Sequence, residues 1–424
     1  MNRPLGASEH LLWRLAEARP INAVVSASVT GPLTVSRLRR ALEFVQKRHA
    51  LLAVRIQTDA RGQPHFVSEG VPSLPLRVVS RRNEEHWVQE AEEELTRPFA
   101  QGQGPLLRVT LLQGPDTSEL LLTFDHAIGD GMSGVLLVRD LLHELSMPGN
   151  GQLLPEPAAS EELLPPGVPP PGTPPAVSRA SLPDVPRAAL RLLSSQDTPE
   201  DGRQVRLLTC YLPEDETAHL AAASRRERSS VHGALCAAFL LSLAGELDSR
   251  NECLLTVMSP VNLRGHLVPP GEESFAVRFS RQLTHHRLGP GSPFWEVARD
   301  VKHQLHRDTE GPGVFTNVLR TRSFLDTKPD TPSLQSFARQ LMGSELTVSN
   351  LGRLGFGEQH GDLRLRWMHG TVSGLAPLIV GVMTVGGGLC VCSRFLEHVI
   401  PGAGAQRIQQ RALAHLRTAL ASGK

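Results

Sequence analysis

Between Leu153 and Pro186 the chain reads LLPEPAASEELLPPGVPPPGTPPAVSRASLPDVP, and a stretch so crowded with proline cannot run through the middle of a helix or a sheet. Each proline removes a backbone donor, and the segment has no apolar period. It therefore divides the 424 residues into an N-terminal lobe, 1–152, and a C-terminal lobe, 187–424, with 153–186 as an extended connection. Each lobe is long enough to bury a core of its own. The other use of such a segment is as a ligand for a proline-recognition module, but a two-lobed chain needs a crossover here in any case.

Periodicity on both sides of the break mixes helices with strands. In the first lobe a helix around Glu9–Glu17 leads into the strand-like INAVVSASV, and Thr34 or Ser36 can cap the periodic helix SRLRRALEFVQKRH. LLAVRIQ, PHFVS and LPLRVV read as short strands, EEHWVQEAEEEL as a helix with a solvated acidic face, and LLRVTLLQ and ELLLTF as a strand pair turned through GPDTS. The second lobe repeats the style with RLLTCYL, two helices, LLTVMSPVNLR, FAVRFSRQL, ELTVSNLG, LRLRWMHG, and a hairpin from PLIVGVMTV through Gly386, Gly387 and Gly388 to LCVCSRF. A helix from about Gln406 to Leu420 follows. The expected class is α/β, with mixed sheets covered by helices in two lobes of related layout.

Composition removes several functions. With 44 basic and 43 acidic residues there is no electrostatic footprint for nucleic acid, and aromatics at 4% are too sparse for a stacking platform. Charged residues interrupt every apolar run before it reaches the length of a membrane span, so a soluble, cytoplasmic chain is expected. The five cysteines include Cys390 and Cys392 in GLCVCSRF, where alternation puts both on one strand face as buried thiols rather than a metal pair. His303 and His306 share a helix face without a third ligand, and His285 and His286 should point apart on a strand, so no metal is expected.

The stretch that suggests chemistry is FDHAIGDGMSG, Phe124–Gly134. ELLLTF should deliver His126 at the end of a strand and VLLVRDLLHEL should leave as a helix, which places His126 on a loop held from both sides. A purely structural reading is available for each residue. Asp130 and Ser133 can cap the helix, Gly131 can supply a turn, and His126 can be a polar loop residue.

In context this segment resembles the active-site signature His-His-x-x-x-Asp-Gly of the superfamily that contains chloramphenicol acetyltransferase, nonribosomal-peptide condensation domains and polyketide-associated acyltransferases. His126, Asp130 and Gly131 match the second histidine, the acid and the glycine, while Asp125 stands in place of the first histidine. PLGASEHLLWRL resembles the first helix of these enzymes, GPLLRVTLL the strand before the motif, and MSPVNLR their second-lobe arginine segment. SNLGRLGFG, from Ser349, resembles the Asn-x-Gly loop of the alcohol-acylating and polyketide-associated branches.

The resemblance implies a two-lobed chloramphenicol acetyltransferase-like fold with a channel between the lobes. It implies transfer of an acyl group from a CoA or acyl-carrier-protein thioester to a small-molecule alcohol or amine of secondary or lipid metabolism, with no cofactor. His126 would be the general base, a task suited to a side chain that titrates near neutrality. Asp130, the second residue of the catalytic motif, would pair with Arg264 across the lobes, where an always-charged planar guanidinium suits a buried carboxylate. Gly131 and the Ser133 hydroxyl would support an oxyanion, and Ser349 and Asn350 would line the substrate channel. Asp125 should look away from the channel and accept hydrogen bonds from backbone N–H groups of the Gly129–Gly131 turn. A carboxylate nearby would raise the pKa of His126 through space. Ester formation is the first expectation. Amide formation, as in condensation domains, and a catalytically silent module that docks a carrier protein are the alternatives.

Overall fold

The computed structural model describes residues 1–169, 204–247, 251–271 and 273–421. The second part of the proline-rich connection, 170–186, lies outside them. Its first part does not float free. Ala158 and Ser160 accept from the Arg278 guanidinium at 2.7 and 3.1 Å, and Glu161 accepts the Ala7 N–H at 2.7 Å.

Two six-stranded mixed sheets form the framework of the described residues. The first is built on β2 (Asn22–Thr30), β5 (Leu76–Ser80), β6 (Leu107–Gln113) and β7 (Thr117–Asp125). The second runs in the order β10 (Phe279–Leu288), β9 (Cys253–Asn262), β11 (Leu346–Arg353), β14 (Leu378–Val385), β15 (Gly388–Leu396) and β8 (Val205–Leu212). A small sheet joins β1 (Asn2–Pro4), β4 (Pro64–Val67) and β3 (Arg55–Thr58). β5 and β6 are parallel, as are β11 and its two neighbours, while most other pairs are antiparallel. The expected mixed α/β class is the observed one.

Helices cover the sheets. They are α1 (Ala7–Ala16), α2 (Val35–Arg48), α3 (His86–Thr96) and α4 (Gly131–Ser146) in the first part of the chain. In the second they are α5 (Glu214–Arg226), α6 (Val231–Leu247), α7 (Phe294–Thr309), α8 (Thr316–Asp326), α9 (Thr331–Met342) and α10 (Gly402–Ala421). The Thr34 hydroxyl caps α2 by accepting the Arg37 N–H at 3.3 Å. α1 begins earlier than its apolar period suggests, because the Glu9 carboxylate reaches back to the Gly6 N–H at 2.7 Å. α6 is apolar all round and buried, and none of the described helices is by itself long and apolar enough to cross a membrane.

Three sequence expectations differ from the fold. The first sheet is completed from far along the chain: β13 (Leu363–Val372) pairs antiparallel with β2, and β12 (Gln359–His360) pairs with β13. Residues that the proline break assigns to the second lobe thus belong to the first sheet, because strand pairing follows exposed edges rather than chain order. FAVRFSRQL is a strand only from Phe279; the N–H groups of Ala276 and Arg278 go instead to the Ser133 hydroxyl and the Asp130 carboxylate. The acidic run of α3 is not a wet face either. Glu90 and Glu94 are buried and paired with Arg77 and Arg108, and Glu92 accepts from Arg206 and the Leu207 N–H of β8, which ties α3 to the second sheet.

The two sheets meet where β13 hands over to β14. A Cβ on Gly381 of β14 would lie 1.9 Å from the Gly370 carbonyl oxygen of β13, so only glycine allows this backbone contact. The connecting turn is held by Arg394, whose guanidinium donates to the carbonyls of Ala376 and Gly374 at 2.7 and 2.8 Å. The hairpin from β14 to β15 turns on Gly386 and Gly387, both at positive φ, as the Gly386–Gly388 run led us to expect.

Candidate active site

A cavity of about 180 Å³, open to solvent, lies between the sheets and is lined from both. β2 and β7 supply Ala23, Val25 and, at the end of β7, His126; β9 and β10 supply Met258, Pro260, Asn262, Phe279 and Arg281. On these last strands every second residue faces the cavity, as pleating requires. Gly131 and Met132 enter from the start of α4, and Ser349, Asn350 and Leu351 from the end of β11.

His126 stands on the loop between β7 and α4. Its backbone N–H continues the sheet by donating to Ile21 at 2.9 Å, and its ring lies parallel to Phe279 at 5.4 Å between centroids. Nδ1 is 2.6 Å from the Gly129 carbonyl oxygen. A carbonyl can only accept, so Nδ1 carries the proton in the neutral ring and Nε2 keeps a lone pair. Burial pushes the pKa of His126 below its ordinary value, against the Gly129 carbonyl and Asp130, which act in the other direction; the charge of Arg281 adds to the depression. The ring is therefore neutral at neutral pH, in the tautomer a base needs. Asp130, rather than Asp125, is the carboxylate that acts on it.

Asp130 and Arg264 meet at 2.9 Å, both nearly inaccessible to solvent. Arg264 follows directly on β9, so this contact joins the start of α4 to the second sheet. Asp130 Oδ2 also accepts the Arg278 N–H at 2.8 Å, while Oδ1 caps α4 by accepting the Ser133 N–H at 2.8 Å. Burial alone would raise this carboxyl; Arg264 and these hydrogen bonds hold it below its ordinary value. Both oxygens are taken, so Asp130 is a structural anion at the channel wall.

Ser133 departs from its expected role. Its side chain is wholly buried, donates to Ala276 or Asp130, and accepts from Arg264 Nη2 at 3.0 Å and from the Ala276 N–H at 3.2 Å. The hydroxyl is consumed in tying the lobes together and faces no substrate. Gly131 does line the channel, where a Cβ would press on Leu351 at 3.1 Å. Helix geometry leaves the N–H groups of Gly131 and Met132, the first two of α4, without an intrahelical acceptor.

Asp125 points away from the channel, as alternation predicts, but its donor is not the Gly129–Gly131 turn. Oδ1 accepts the Ala127 N–H at 2.8 Å, because a short side chain reaches the backbone two residues on more readily than five. Burial raises its carboxyl from 3.8 to about 6. The folded state then holds the proton more tightly than the unfolded chain, so stability falls as pH rises between about 4 and 6. Asp125→Asn keeps the acceptor and removes this penalty. Its thermal midpoint should exceed that of the natural chain at pH 7.5, and the difference should close at pH 4 when the two are melted side by side.

Ser349 and Asn350 both line the cavity, and Asn350 also makes an ordinary turn, its side-chain oxygen accepting the Gly352 N–H at 2.9 Å. SNLG therefore forms a turn and lines the channel at once. Cys390 and Cys392 are buried free thiols. Among the described residues no group of three or more His, Cys, Asp or Glu side chains could hold a metal. His286 does acquire an orienting partner, which side-chain alternation gave no reason to expect: Nδ1 is 2.7 Å from Asp300 and Nε2 is 2.8 Å from the Thr284 hydroxyl. Thr284 is fully buried, however, and this row faces the core.

Two family models match different parts of the chain. Residues 17–161 match the condensation domain, and residues 201–374 match the C-terminus of phthiocerol/phthiodiolone dimycocerosyl transferase. The chain belongs to the chloramphenicol acetyltransferase-like, condensation-domain superfamily. Phosphinothricin tripeptide synthetase PhsC from Streptomyces viridochromogenes is 35% identical over 149 residues, 32% of this chain and 14% of that protein. The chain thus spans a small part of the curated relatives it matches. Polyketide synthase associated protein 5 from Mycobacterium tuberculosis superposes with a TM-score of 0.67 over 97% of both chains at 17% identity. Trichothecene 15-O-acetyltransferase TRI3 from Fusarium sporotrichioides gives 0.70 over 99% of this chain and 95% of that one, at 12% identity.

Proposed function

We propose that the chain is an acyltransferase that moves an acyl group from a CoA or acyl-carrier-protein thioester directly to a hydroxyl, with His126 as the general base. The observation that carries this reading is the fixed tautomer of His126, its Nδ1 held by the Gly129 carbonyl in the wall of a channel between the sheets. An acceptor hydroxyl gives its proton to Nε2 as its oxygen attacks the thioester carbonyl. The resulting oxyanion is stabilised by the N–H groups of Gly131 and Met132 at the positive end of α4. Collapse of the tetrahedral intermediate breaks the carbon–sulfur bond, and the proton on Nε2 passes to the departing thiolate. No acyl-enzyme forms, and the chemistry calls on no metal or cofactor.

Amide formation is the second reading, supported by the condensation-domain match and by relatives that are peptide synthetases. In a neutral amine acceptor the same base removes the proton after attack. A silent docking module is the third. Incubating the purified chain with acyl-CoA and acyl-carrier-protein thioesters and a panel of alcohols and amines separates the three by product mass. Ester is expected, with kcat/KM rising through a pKa below 6.5 as His126 loses its proton. Tight carrier-protein binding without turnover of any thioester would instead mark a docking module.

A further inference from the structure

Beyond its charge acting on His126, Arg281 takes no part in the chemistry just described, and it is the anomaly of the channel. It sits on β10, is 1% exposed, and lines the cavity, yet neither Nη1 nor Nη2 has a hydrogen-bond partner. Two other arginines as deeply buried have partners at both terminal nitrogens: Arg278 in Ser160 and the Ala158 carbonyl, Arg394 in the carbonyls of Ala376 and Gly374. Burial lowers the pKa of Arg281 only to about 10, so it remains a cation at neutral pH. Among the described residues the only carboxylate in the channel wall is Asp130, whose two oxygens are occupied by Arg264, Arg278 and Ser133.

Its contact with the site is through one ring. The guanidinium carbon lies 4.5 Å from the centroid of Phe279, the same ring that stacks on His126. A second unpartnered polar atom, the Thr371 hydroxyl of β13, belongs to the same cavity. A desolvated, uncompensated charge destabilises a fold, and arginine cannot escape by losing its proton. The cost is met when an anion arrives, and a planar fork with two free ends matches a carboxylate.

We propose that Arg281 is the anion-binding residue of the channel, and that one of the two substrates carries a carboxylate which it seats beside His126. The inference rests on the reading of the channel as the substrate site. The carboxylate belongs either to a dicarboxylic acyl group on the thioester or to a hydroxy or amino acid acceptor; the two arms of the kinetic test below tell them apart.

The first test is binding, independent of turnover. Titration calorimetry of the full chain with hexanoate and with its neutral isostere hexanamide should show at least about tenfold tighter binding of hexanoate. Arg281→Met should abolish that preference, and its thermal midpoint without ligand should rise, whereas a merely structural arginine would lower it. His126→Ala should leave the preference in place. No preference in the natural chain, whether both compounds bind or neither does, overturns the proposal, as does a preference that survives Arg281→Met. If the preference holds and no thioester is turned over, the acyltransferase reading falls and the anion site stands. With turnover, kcat/KM ratios for succinyl-CoA against butyryl-CoA, and for a hydroxy acid against the matching diol, assign the carboxylate to donor or acceptor. The ratio that exceeds one should collapse in Arg281→Met.

Discussion

His126→Ala should lower the proposed acyl transfer by about 10²–10⁴-fold while the chain stays folded. The loss is confined to chemistry because the imidazole contributes little to the core. It borders the open cavity, stacks on one face of Phe279, and makes a single side-chain hydrogen bond to its own loop. The backbone N–H that docks this loop on β2 is untouched by the substitution. His126→Gln is the useful companion, since an amide can keep the bond to the Gly129 carbonyl but cannot take a proton. Both variants should melt near the natural chain, measured by circular dichroism, and both should lose kcat rather than raise KM. Near-normal turnover by either would remove the proposed base.

Asp130→Ala and Arg264→Ala should each destabilise the protein by about 3–5 kcal/mol, because each leaves its partner buried and unpaired. The network around them makes the effect larger than that of one ion pair at a surface. Asp130 ends β10's approach by binding the Arg278 N–H, caps α4, and anchors Ser133, which in turn binds Ala276. Losing it frees both sides of the channel at once. The double variant should be no worse than the poorer single one, so the coupling free energy in urea melts should be at least as large as the smaller single loss, about 3 kcal/mol or more. Simple additivity would mean that the two charges act separately. Arg264→Lys should recover only part of the stability, since an ammonium cannot reach Asp130, Ser133 and the Ala276 carbonyl together.

How much of this was legible differs from residue to residue. The tautomer of His126 depends on Gly129, three residues away, so the motif and its turn carry the information locally. The direction of Asp125 follows from strand alternation and was likewise readable, although the identity of its donor was not, because it depends on the exact turn. The pairing of Asp130 with Arg264 spans 134 positions and came from the family resemblance, not from spacing. Ser133 shows the limit of that route. A hydroxyl beside the motif suggests an oxyanion donor, and only the segment Phe275–Arg278 folding against it reveals that the hydroxyl is spent on backbone. Arg281 was invisible altogether: in FSRQL it is one more polar residue on a strand, and nothing local says that its partners are missing.

The sequence by itself determined the local events: which segments are helices or strands, where the hairpin turns on paired glycines, and where a strand hands His126 to a loop and a helix. Those depend on periodicity and backbone preference, which act over a few residues. Only the tertiary structure decided that β13 would return to pair with β2, that Gly381 would take the backbone of Gly370 where the sheets meet, and that Glu90 and Glu94 would be buried. It also decided which charges in the channel are satisfied and which one is not. These are outcomes of long-range burial, in which the value of a polar group is set by whatever distant residues arrive beside it and by the water they exclude.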